Sequence, residues 1–510
     1  MRLSVLNQVN ATVVGLSMML GLSLAGAVHA EPSKAQIDAL FKPWSGSDSP
    51  GCSIGVTRNG LPVFQAGYGM AGLEQGVANR ADTVYNIASL SKHFTSAAIE
   101  LLAQQGKLSW DDDVRQYIPQ LRDYGAPITL RHLANHTSGI RDHASLLDLT
   151  GWNWVDAVTE RRMLELISRQ KQLNFPTGSR YLYSNSGYVL LAAVVKRVSG
   201  LSLGDFSEQQ IFKPLGMLHT RFYDDRQMIW KNRAPGYYPR DDGNGFAAWR
   251  PTYDEIIGDG ALLTSIPDMA LWERNFLYPT LGPRPRQLVD VLQQPSQLND
   301  GRPALAADDS GEADKANPSV YTLGLVEGSY RGLRTIAHGG GIPGYASYML
   351  RFPEQKFAVT ILCNLGGAPV YELADAVSDL YLKDQFKRGG PTPAPGAHQD
   401  DPEDAEEKQP KAVAPAAPLA NYAGHYYSEE LDTEYGIEVS GNGLQVQVGE
   451  AEPEQLIPTG GDTFEGDYTL EFTRDTTGRA NGYTLKTERI DGIRFDRKGP
   501  LVPRQDDQTP

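Results

Sequence analysis

The sequence predicts an α+β protein in which an antiparallel sheet is flanked by helices, with an all-helical region inserted into it, followed by a small C-terminal antiparallel β-barrel or sandwich. Three observations predict this fold class. Strand-like segments with hairpin turns stand at both ends of a long N-terminal part, and mostly helical and looped sequence fills the region between them. The C-terminal part alternates with period two behind a proline-rich stretch.

Composition limits the possible functions. The 510 residues carry 47 Lys+Arg against 62 Asp+Glu, a formal net charge of −15, and 40% of them are hydrophobic. A chain of this length and apolar content can bury a large core, which excludes wholesale disorder. Two cysteines cannot build a disulfide framework or a Cys-rich zinc module. The acidic balance argues against a nucleic-acid partner.

The N-terminus has the pattern of a secretory signal peptide, which we assign to residues 1–30. Arg2 supplies a positive charge, no residue from Ala11 to Val28 is charged, and the small side chains of Val28 and Ala30 fit a cleavage site. An uncleaved membrane anchor is the alternative, since an uncharged run of this length could just span a bilayer. We expect a periplasmic or secreted protein with no stable membrane insertion after cleavage.

Residues 31–388 form the predicted large N-terminal domain. Four of its segments have the composition of short strands: residues 52–56, 62–64, 346–351 and 357–362. The first two are joined by Arg58-Asn59-Gly60, a hairpin turn signal. Because these strands lie at the two ends of the domain, the helical sequence between them is predicted to be an insertion into one antiparallel sheet.

Residues 389–418 read as a linker and residues 419–510 as a C-terminal β domain. The linker holds seven prolines, and six acidic residues lie between positions 400 and 407, so the chain is stiffened and self-repelling. Beyond it, alternating segments flank Gly441-Asn442-Gly443 as a hairpin. We find no catalytic constellation here and predict a packing or substrate-shaping module.

The first candidate catalytic pair is Ser89 and Lys92, in the sequence Ser-Leu-Ser-Lys at the start of a helical pattern. Residues three apart on a helix share a face. A serine hydroxyl is a poor nucleophile until a neighbour takes its proton, and a buried lysine can serve in that role. Alone, this spacing is a weak signal, because many helices begin with such residues.

Two further segments carry candidate site residues. Tyr183-Ser184-Asn185 precedes an apolar helical run, and a tyrosine beside a lysine can act as a base. His338-Gly339-Gly340-Gly341 follows a strand-like segment, and glycines let a strand lie directly against a substrate backbone. Each segment alone also reads as a turn.

Together, the three segments resemble the serine β-lactamase and penicillin-binding protein superfamily on its class C side. The superfamily motifs S-x-x-K, Y-x-N and K-T-G or H-x-G occur here in the same order. Further stretches look like family segments: His136–Gly139 like H-T-S-G, Lys213–Met217 like the P-L-G-M turn, and 258–265 like the glycine-rich stretch before a late helix. The resemblance covers roughly Ile37 to Lys387, and it implies a β-lactamase/transpeptidase-like fold.

The resemblance also implies roles for these residues. Ser89 would be the acyl-accepting nucleophile and Lys92 its proton-handling partner, while Tyr183 would act as general base and acid. Asn185 would position the substrate and the lysine. The oxyanion hole would be formed by the backbone N–H groups of Ser89 and Gly341. Neither a cofactor nor a metal is implied.

His338 departs from the motif of β-lactamases and most cell-wall peptidases, which carry lysine at this place. The resemblance implies that His338 and Gly340 position the substrate. A histidine of ordinary pKa is mostly neutral at pH 7, so it is a poor partner for a substrate carboxylate. The H-x-G form resembles the D-aminopeptidase and esterase branches of the superfamily.

We therefore expect an exported serine hydrolase that forms an acyl-enzyme on Ser89 and cleaves amide or ester bonds of small peptide-like substrates. A β-lactamase or DD-peptidase is the first alternative. A non-catalytic protein that binds peptides or glycans on the same fold is an alternative of another class. The oligomeric state is left open.

Three other features have plainer interpretations. His132 and His136 have metal-ligand spacing, but no third ligand is evident. Residues 200–204 match the G-x-S-x-G elbow, yet a helical pattern rather than a strand precedes them, so Gly200 reads as a helix stop. Cys52 and Cys363 fall on strands that the family fold would place in one sheet, and we interpret them as packing residues.

Overall fold

The computed structural model describes residues 31–152, 157–225, 227–240, 242–250, 257–307, 313–387 and 412–498. The predicted signal peptide and most of the predicted linker, residues 389–411, lie outside the described residues. Among the helices in the described part of the chain, none combines the length and the apolar character needed to cross a bilayer.

Strands and helices alternate irregularly along the N-terminal domain. The strands are β1 (Cys52–Arg58), β2 (Leu61–Tyr68), β3 (Met70–Gly72), β4 (Val77–Ala78), β5 (Tyr85–Asn86), β6 (Arg221–Phe222), β7 (Gly236–Pro239), β8 (Phe246–Trp249), β9 (Leu262–Thr264), β10 (Val320–Tyr321), β11 (Val326–Tyr330), β12 (Leu333–Ile342), β13 (Tyr345–Phe352) and β14 (Phe357–Cys363). The helices are α1 (Lys34–Leu40), α2 (Lys92–Gln104), α3 (Leu130–Ala134), α4 (His143–Asp148), α5 (Glu160–Arg169), α6 (Asn185–Ser199), α7 (Leu203–Ser207), α8 (Lys213–Leu215), α9 (Ile266–Leu277), α10 (Pro285–Leu292) and α11 (Val370–Leu382).

The main sheet is antiparallel and has the strand order β10-β11-β12-β13-β14-β1-β2. The first two strands of the chain thus pair with the last, and the helical region between β2 and β10 is an insertion, which confirms the predicted α+β architecture. Helices cover both faces, so β13 and β14 are buried along their whole length. On one face, Gly55 leaves room for the side chain of Ile266 in α9, because a Cβ there would lie 2.5 Å from its Cγ2 atom.

Cys52 and Cys363 lie in one sheet, as the family fold implied, but they form a disulfide, so our interpretation of them as packing residues was wrong. The two residues are directly opposite each other where β1 pairs with β14. The sequence separation of 311 residues hides this pairing, since only the strand register brings them together. The bond closes a loop that contains the whole inserted region.

The longest helix, α6, begins at Asn185 and buries the apolar run that precedes Lys196. Gly200 ends it in the left-handed conformation, with φ of 77°, where a glycine carries no steric cost. Ser202 is the N-cap of α7 and accepts a hydrogen bond from the backbone of Asp205. The G-x-S-x-G match is therefore a helix-to-helix turn, as the sequence indicated.

The C-terminal domain is a closed eight-stranded antiparallel barrel, which decides between the predicted barrel and sandwich. Its strands are β16 (Gly424–Ser428), β17 (Thr433–Ser440), β18 (Gly443–Val448), β19 (Glu454–Gly461), β20 (Thr463–Glu465), β21 (Thr469–Arg474), β22 (Ala480–Thr487) and β23 (Ile490–Arg497). The order β19-β18-β17-β16-β23-β22-β21-β20 closes through pairing of β19 with β20. A strand ahead of the barrel, β15 (Val413–Pro415), pairs in parallel with β19, although the sequence places these residues in the linker.

A buried ion pair fixes the barrel to the N-terminal domain. The Arg141 guanidinium donates to the Glu430 carboxylate over 2.6 Å, and the two side chains are 0% and 4% exposed. Arg141 also donates to the carbonyl oxygens of Asp491 and Gly492 in the barrel. Burying a charge is costly unless an opposite charge is its partner. Arg141 and Glu430 are partners only when the barrel is docked on the N-terminal domain, so the ion pair links the two domains.

We predict that the double variant Cys52→Ser/Cys363→Ser loses about 2–5 kcal/mol of the free energy of unfolding, because the disulfide no longer restricts the unfolded chain. The measurement is denaturant unfolding followed by intrinsic fluorescence, with and without dithiothreitol. The reductant should destabilise the unsubstituted protein and leave the double variant unchanged. Equal stability of the two proteins under oxidising conditions would contradict the prediction.

Candidate active site

Ser89 lies in a single turn of 3₁₀ helix, residues 88–91, that leads directly into α2. The turn begins with Ala88 at φ of 45°, a left-handed conformation that costs a non-glycine residue about 1–3 kcal/mol. Two hydrogen bonds hold it there: Ala88 N–H donates to Asn86 Oδ1 over 2.9 Å, and Ser91 Oγ donates to the Ala88 carbonyl over 2.6 Å. The strained turn leaves Ser89 partly exposed while its neighbours are buried.

The Lys92 side chain is fully buried, and its amine has three oxygen neighbours. The Nζ atom lies 2.8 Å from Ser89 Oγ, 2.8 Å from Asn185 Oδ1 and 2.9 Å from the carbonyl oxygen of Asp259. The amide and carbonyl oxygens can only accept hydrogen bonds. Two of the amine's hydrogen-bonding directions are therefore taken by oxygens that can only accept, and the third points to the Ser89 hydroxyl.

Aromatic rings surround the remainder of this amine. Lys92 Nζ lies 4.8 Å from the centroid of the Tyr183 ring and 5.6 Å from that of Tyr188. Contact with ring faces partly replaces the water that a buried cation loses. The predicted catalytic residues Ser89, Lys92 and Tyr183 and the predicted positioning residue Asn185 are thus brought together, although their sequence positions span nearly a hundred residues.

The segment around His136 holds the loop that carries Tyr183. His136 Nδ1 accepts a hydrogen bond from the backbone N–H of Ser184 over 3.1 Å, and its ring centroid is 4.2 Å from that of Tyr183. Burial, together with the nearby Lys92 charge, holds the pKa of His136 well below its ordinary value. His136 is therefore a neutral hydrogen-bond acceptor that orients the tyrosine loop.

His132 has a separate structural role in capping α3, where its Nδ1 accepts from the backbone of Thr129. The described residues contain no group of three or more His, Cys, Asp or Glu side chains suited to a metal ion. His132 and His136 therefore each accept a separate backbone hydrogen bond, His132 from Thr129 and His136 from Ser184.

Asp142 joins two of the elements that build the site. Its Oδ1 atom accepts from the first backbone N–H groups of α4, and its Oδ2 accepts from the N–H of Asn185 over 2.5 Å. Because Asn185 is the first residue of α6, this carboxylate also meets the positive end of that helix. Asp142 therefore fixes the residue that holds the Lys92 amine.

The adjacent residue, His143, supports the other acceptor of Lys92. Its Nε2 lies 3.1 Å from Asp259 Oδ2. Burial alone would lower the pKa of His143, but the hydrogen bond and charge of Asp259 outweigh it and raise the pKa. Burial would likewise raise the pKa of Asp259, and the partnership with His143 lowers it instead. The hydrogen bond between the two side chains fixes Asp259, the residue whose carbonyl binds Lys92.

Strand β12 packs against the turn that carries Ser89. A Cβ on Gly340 would lie 2.3 Å from the Ile87 carbonyl oxygen and 2.9 Å from Leu90 N, so only glycine fits. Ser347 Oγ, on β13, donates to the same Ile87 carbonyl over 2.8 Å. Gly341 lines the same cavity as Ser89. Gly340 therefore sets the distance between strand and turn and is not among the residues that line the cavity.

His338 also lies outside that cavity. Its Nε2 is 3.0 Å from the Tyr321 hydroxyl and its Nδ1 is 2.6 Å from the Gly339 carbonyl oxygen, and the side chain lines a smaller, separate cavity. The geometry does not favour the direct substrate-positioning roles that the resemblance implies for His338 and Gly340, which stay predictions.

The cavity at Ser89 has a volume of about 1090 Å³, and the barrel forms one of its walls. The barrel residues are Tyr435, Val446, Val448, Ala451, Glu452, Glu454, Asp467, Tyr468, Thr487, Glu488 and Arg489. Among them, Arg489 has its guanidinium carbon 5.0 Å from the centroid of the Tyr183 ring. Arg489 could not be predicted from the sequence, since no local motif marks a residue that reaches the site only through domain docking.

Comparisons with known proteins agree with this geometry. The Beta-lactamase family profile matches residues 37–382. Penicillin-binding protein 4* of Bacillus subtilis is 27% identical over 419 residues, which is 78% of this chain and 84% of that protein. A D-aminopeptidase of Gluconobacter oxydans is 27% identical over 334 residues, 65% of this chain but only 58% of that protein.

The fold is shared with a solved structure as well. The octameric penicillin-binding protein homologue from Pyrococcus abyssi superimposes with a TM-score of 0.60 at 24% identity, covering 90% of this chain and 99% of that one. With the family profile spanning more than half of the residues and Ser89, Lys92 and Tyr183 brought together, the chain belongs to the beta-lactamase family of serine hydrolases.

Proposed function

We propose that this protein is an exported serine hydrolase that forms an acyl-enzyme on Ser89 and cleaves amide or ester bonds of small peptide-like substrates. The observation that carries the proposal is the Lys92 amine, which is buried, fixed by two acceptors and 2.8 Å from Ser89 Oγ. A binding protein has no need of a buried amine aimed at a serine hydroxyl.

The chemistry follows from these positions. Ser89 Oγ attacks the substrate carbonyl carbon, and its proton passes to the Lys92 and Tyr183 pair. The leaving amine or alcohol takes up a proton from the same pair as its bond to the carbonyl carbon breaks. A water molecule then attacks the acyl-enzyme, releases the acid and returns the proton to Ser89. The backbone N–H groups of Ser89 and Gly341 are the proposed donors to the oxyanion.

Two observations support the proposed substrate class: the similarity to a D-aminopeptidase, and a histidine in place of lysine at position 338. The cavity has no lysine from β12 to receive a substrate carboxylate, and seven carboxyl groups line it: Asp142, Asp148, Asp259, Glu452, Glu454, Asp467 and Glu488. Against these carboxyl groups the lining has two arginines, Arg233 and Arg489, so an anionic β-lactam is disfavoured relative to a neutral ester or an amide with a free amine.

Export is supported by the disulfide as well as by the N-terminal segment. Disulfides form and persist in oxidising compartments and are rare in the cytosol. A bond between Cys52 and Cys363 in the core of the sheet is thus consistent with folding in the periplasm or outside the cell.

The proposed nucleophile is tested by covalent labelling. A fluorophosphonate probe should mark Ser89 in the folded protein, and Ser89→Ala should abolish both labelling and turnover. Mass spectrometry of the labelled peptide identifies the residue, and Ser145→Ala controls for another serine that lines the same cavity. Failure of the unsubstituted protein to react would favour a non-catalytic binding protein on the same fold.

We predict that p-nitrophenyl esters of short acids and D-amino-acid anilides are hydrolysed faster than penicillins, because carboxyl groups outnumber arginines in the lining of the cavity at Ser89. Initial rates on the three substrate classes, compared as kcat/KM, check this order. A penicillin rate above the others would identify a β-lactamase or DD-peptidase instead.

Asp142→Asn should lower kcat about tenfold or more with little change in KM, because Asn185 loses its carboxylate anchor and the Lys92 amine shifts. Steady-state kinetics on the best substrate of the panel provide the measurement. Asp82→Asn, at an exposed ion pair with Arg80, is the matched control and should leave kcat unchanged. An unchanged kcat in Asp142→Asn would refute the anchoring role.

A further inference from the structure

The barrel contributes a charged side chain to the immediate surroundings of the catalytic tyrosine. Strands β22 and β23 are joined by a two-residue turn, Glu488-Arg489, which lies at the cavity wall. Arg489 places its guanidinium carbon 5.0 Å from the Tyr183 ring centroid, and Lys92 Nζ lies 4.8 Å from the same centroid. Tyr183 is therefore in contact with two cations, one from each domain.

The turn that carries Arg489 is held by residues of the N-terminal domain. Asn174 donates from Nδ2 to the Arg489 carbonyl over 2.8 Å and accepts at Oδ1 from the N–H of Asp491 over 2.9 Å. The buried Arg141 guanidinium binds the carbonyl oxygens of Asp491 and Gly492, two and three residues farther along the chain. These bonds fix the backbone at Arg489 and just after it, so the side chain extends from an anchored segment.

Tyr183 has several charged or titratable neighbours, and each must be considered before a charge effect is assigned to one of them. Those in ring contact with it are Lys92 on α2, His136 on the adjacent loop, Tyr321 on β10, and Arg489 from the barrel. His136 is a neutral acceptor, because burial and then the charges of Lys92, His338 and Arg489 lower its pKa. Arg489 is the cation that the barrel adds beside the ring, and the barrel carboxyl groups that line the same cavity are those of Glu452, Glu454, Asp467 and Glu488.

We propose that Arg489 is a positioning residue for catalysis: the barrel-borne guanidinium holds the Tyr183 ring and favours the deprotonated form of the Tyr183–Lys92 pair. The inference rests on the proposed serine hydrolase function and adds the second domain to its apparatus. A cation beside a titratable pair disfavours protonation of either member, so the direction of the effect is the same for the phenol and the amine. The barrel thereby becomes part of the active site.

The test follows the rate of Ser89 labelling by a fluorophosphonate as a function of pH. In Arg489→Gln, the rising limb of the labelling rate should move up by about one pH unit, because the pair loses a neighbouring positive charge. Labelling below that limb should slow about tenfold. Arg489→Lys keeps the charge and should retain most of the unsubstituted profile.

A matched control comes from the same barrel. Arg494 on β23 is bound by Asp496 and Thr473 and does not line the cavity, so Arg494→Gln should leave the profile unchanged. Asn174→Ala loosens the turn and should reproduce part of the Arg489→Gln shift. The double variant Arg489→Gln/Asn174→Ala should be no slower than Arg489→Gln, since the turn then has no charge to position.

Each result separates the inference from the function on which it rests. An active, labelled protein whose pH profile does not move in Arg489→Gln overturns the positioning role and leaves the hydrolase function intact. A loss confined to KM for substrates with a free carboxylate also overturns it, because Arg489 would then bind substrate rather than act through Tyr183. Absence of labelling in the unsubstituted protein overturns the hydrolase function, and the inference with it.

Discussion

The active site depends on a buried amine that must be satisfied. Lys92 is inaccessible to water, so its Nζ atom requires acceptors from the protein. Those acceptors come from the first residue of α6 and from a backbone carbonyl beside β9, and each is fixed by a further carboxylate or ion pair. The remaining position faces Ser89 Oγ. Because an unpaired buried amine is costly, the elements that carry its acceptors are held in place, and Ser89 Oγ is oriented as a consequence.

The sequence motifs predicted the parts of the site that depend on neighbouring residues in the chain. Ser89 and Lys92 are neighbours on one turn, and Asn185 begins a helix whose apolar run is visible in the sequence, so both ends of the hydrogen-bond network could be predicted. The α+β sheet with its insertion and the C-terminal β domain were also predictable from periodicity. The disulfide depends on strand register, and the hydrogen bond that holds His338 outside the cavity depends on Tyr321. The position of Arg489 beside Tyr183 depends on how the barrel docks. None of these three features leaves a short-range pattern in the chain.

The electrostatic character of the cavity belongs to both domains. Burial together with the charge of Asp142 raises the pKa of Asp148 to about 6, and burial together with Asp467 raises that of Glu454 to about 7. The first carboxyl lies on the helical region and the second on the barrel. Both gain negative charge as the pH rises through this range, while Arg489 stays positive. The cations at Tyr183 therefore act against a wall whose negative charge increases toward neutral pH, which favours substrates without net negative charge.

Three consecutive residues connect docking of the barrel to the chemistry. Arg141 pairs with Glu430 of the barrel, Asp142 holds Asn185, and His143 holds Asp259. Removing the barrel would take from Arg141 the Glu430 carboxylate and the carbonyl oxygens of Asp491 and Gly492, and would leave it the Gln170 side-chain oxygen. The acceptors of Lys92 are anchored one and two residues farther along the chain. The barrel is therefore coupled to the segment that orders the lysine amine, because Arg141 in that segment binds the barrel directly.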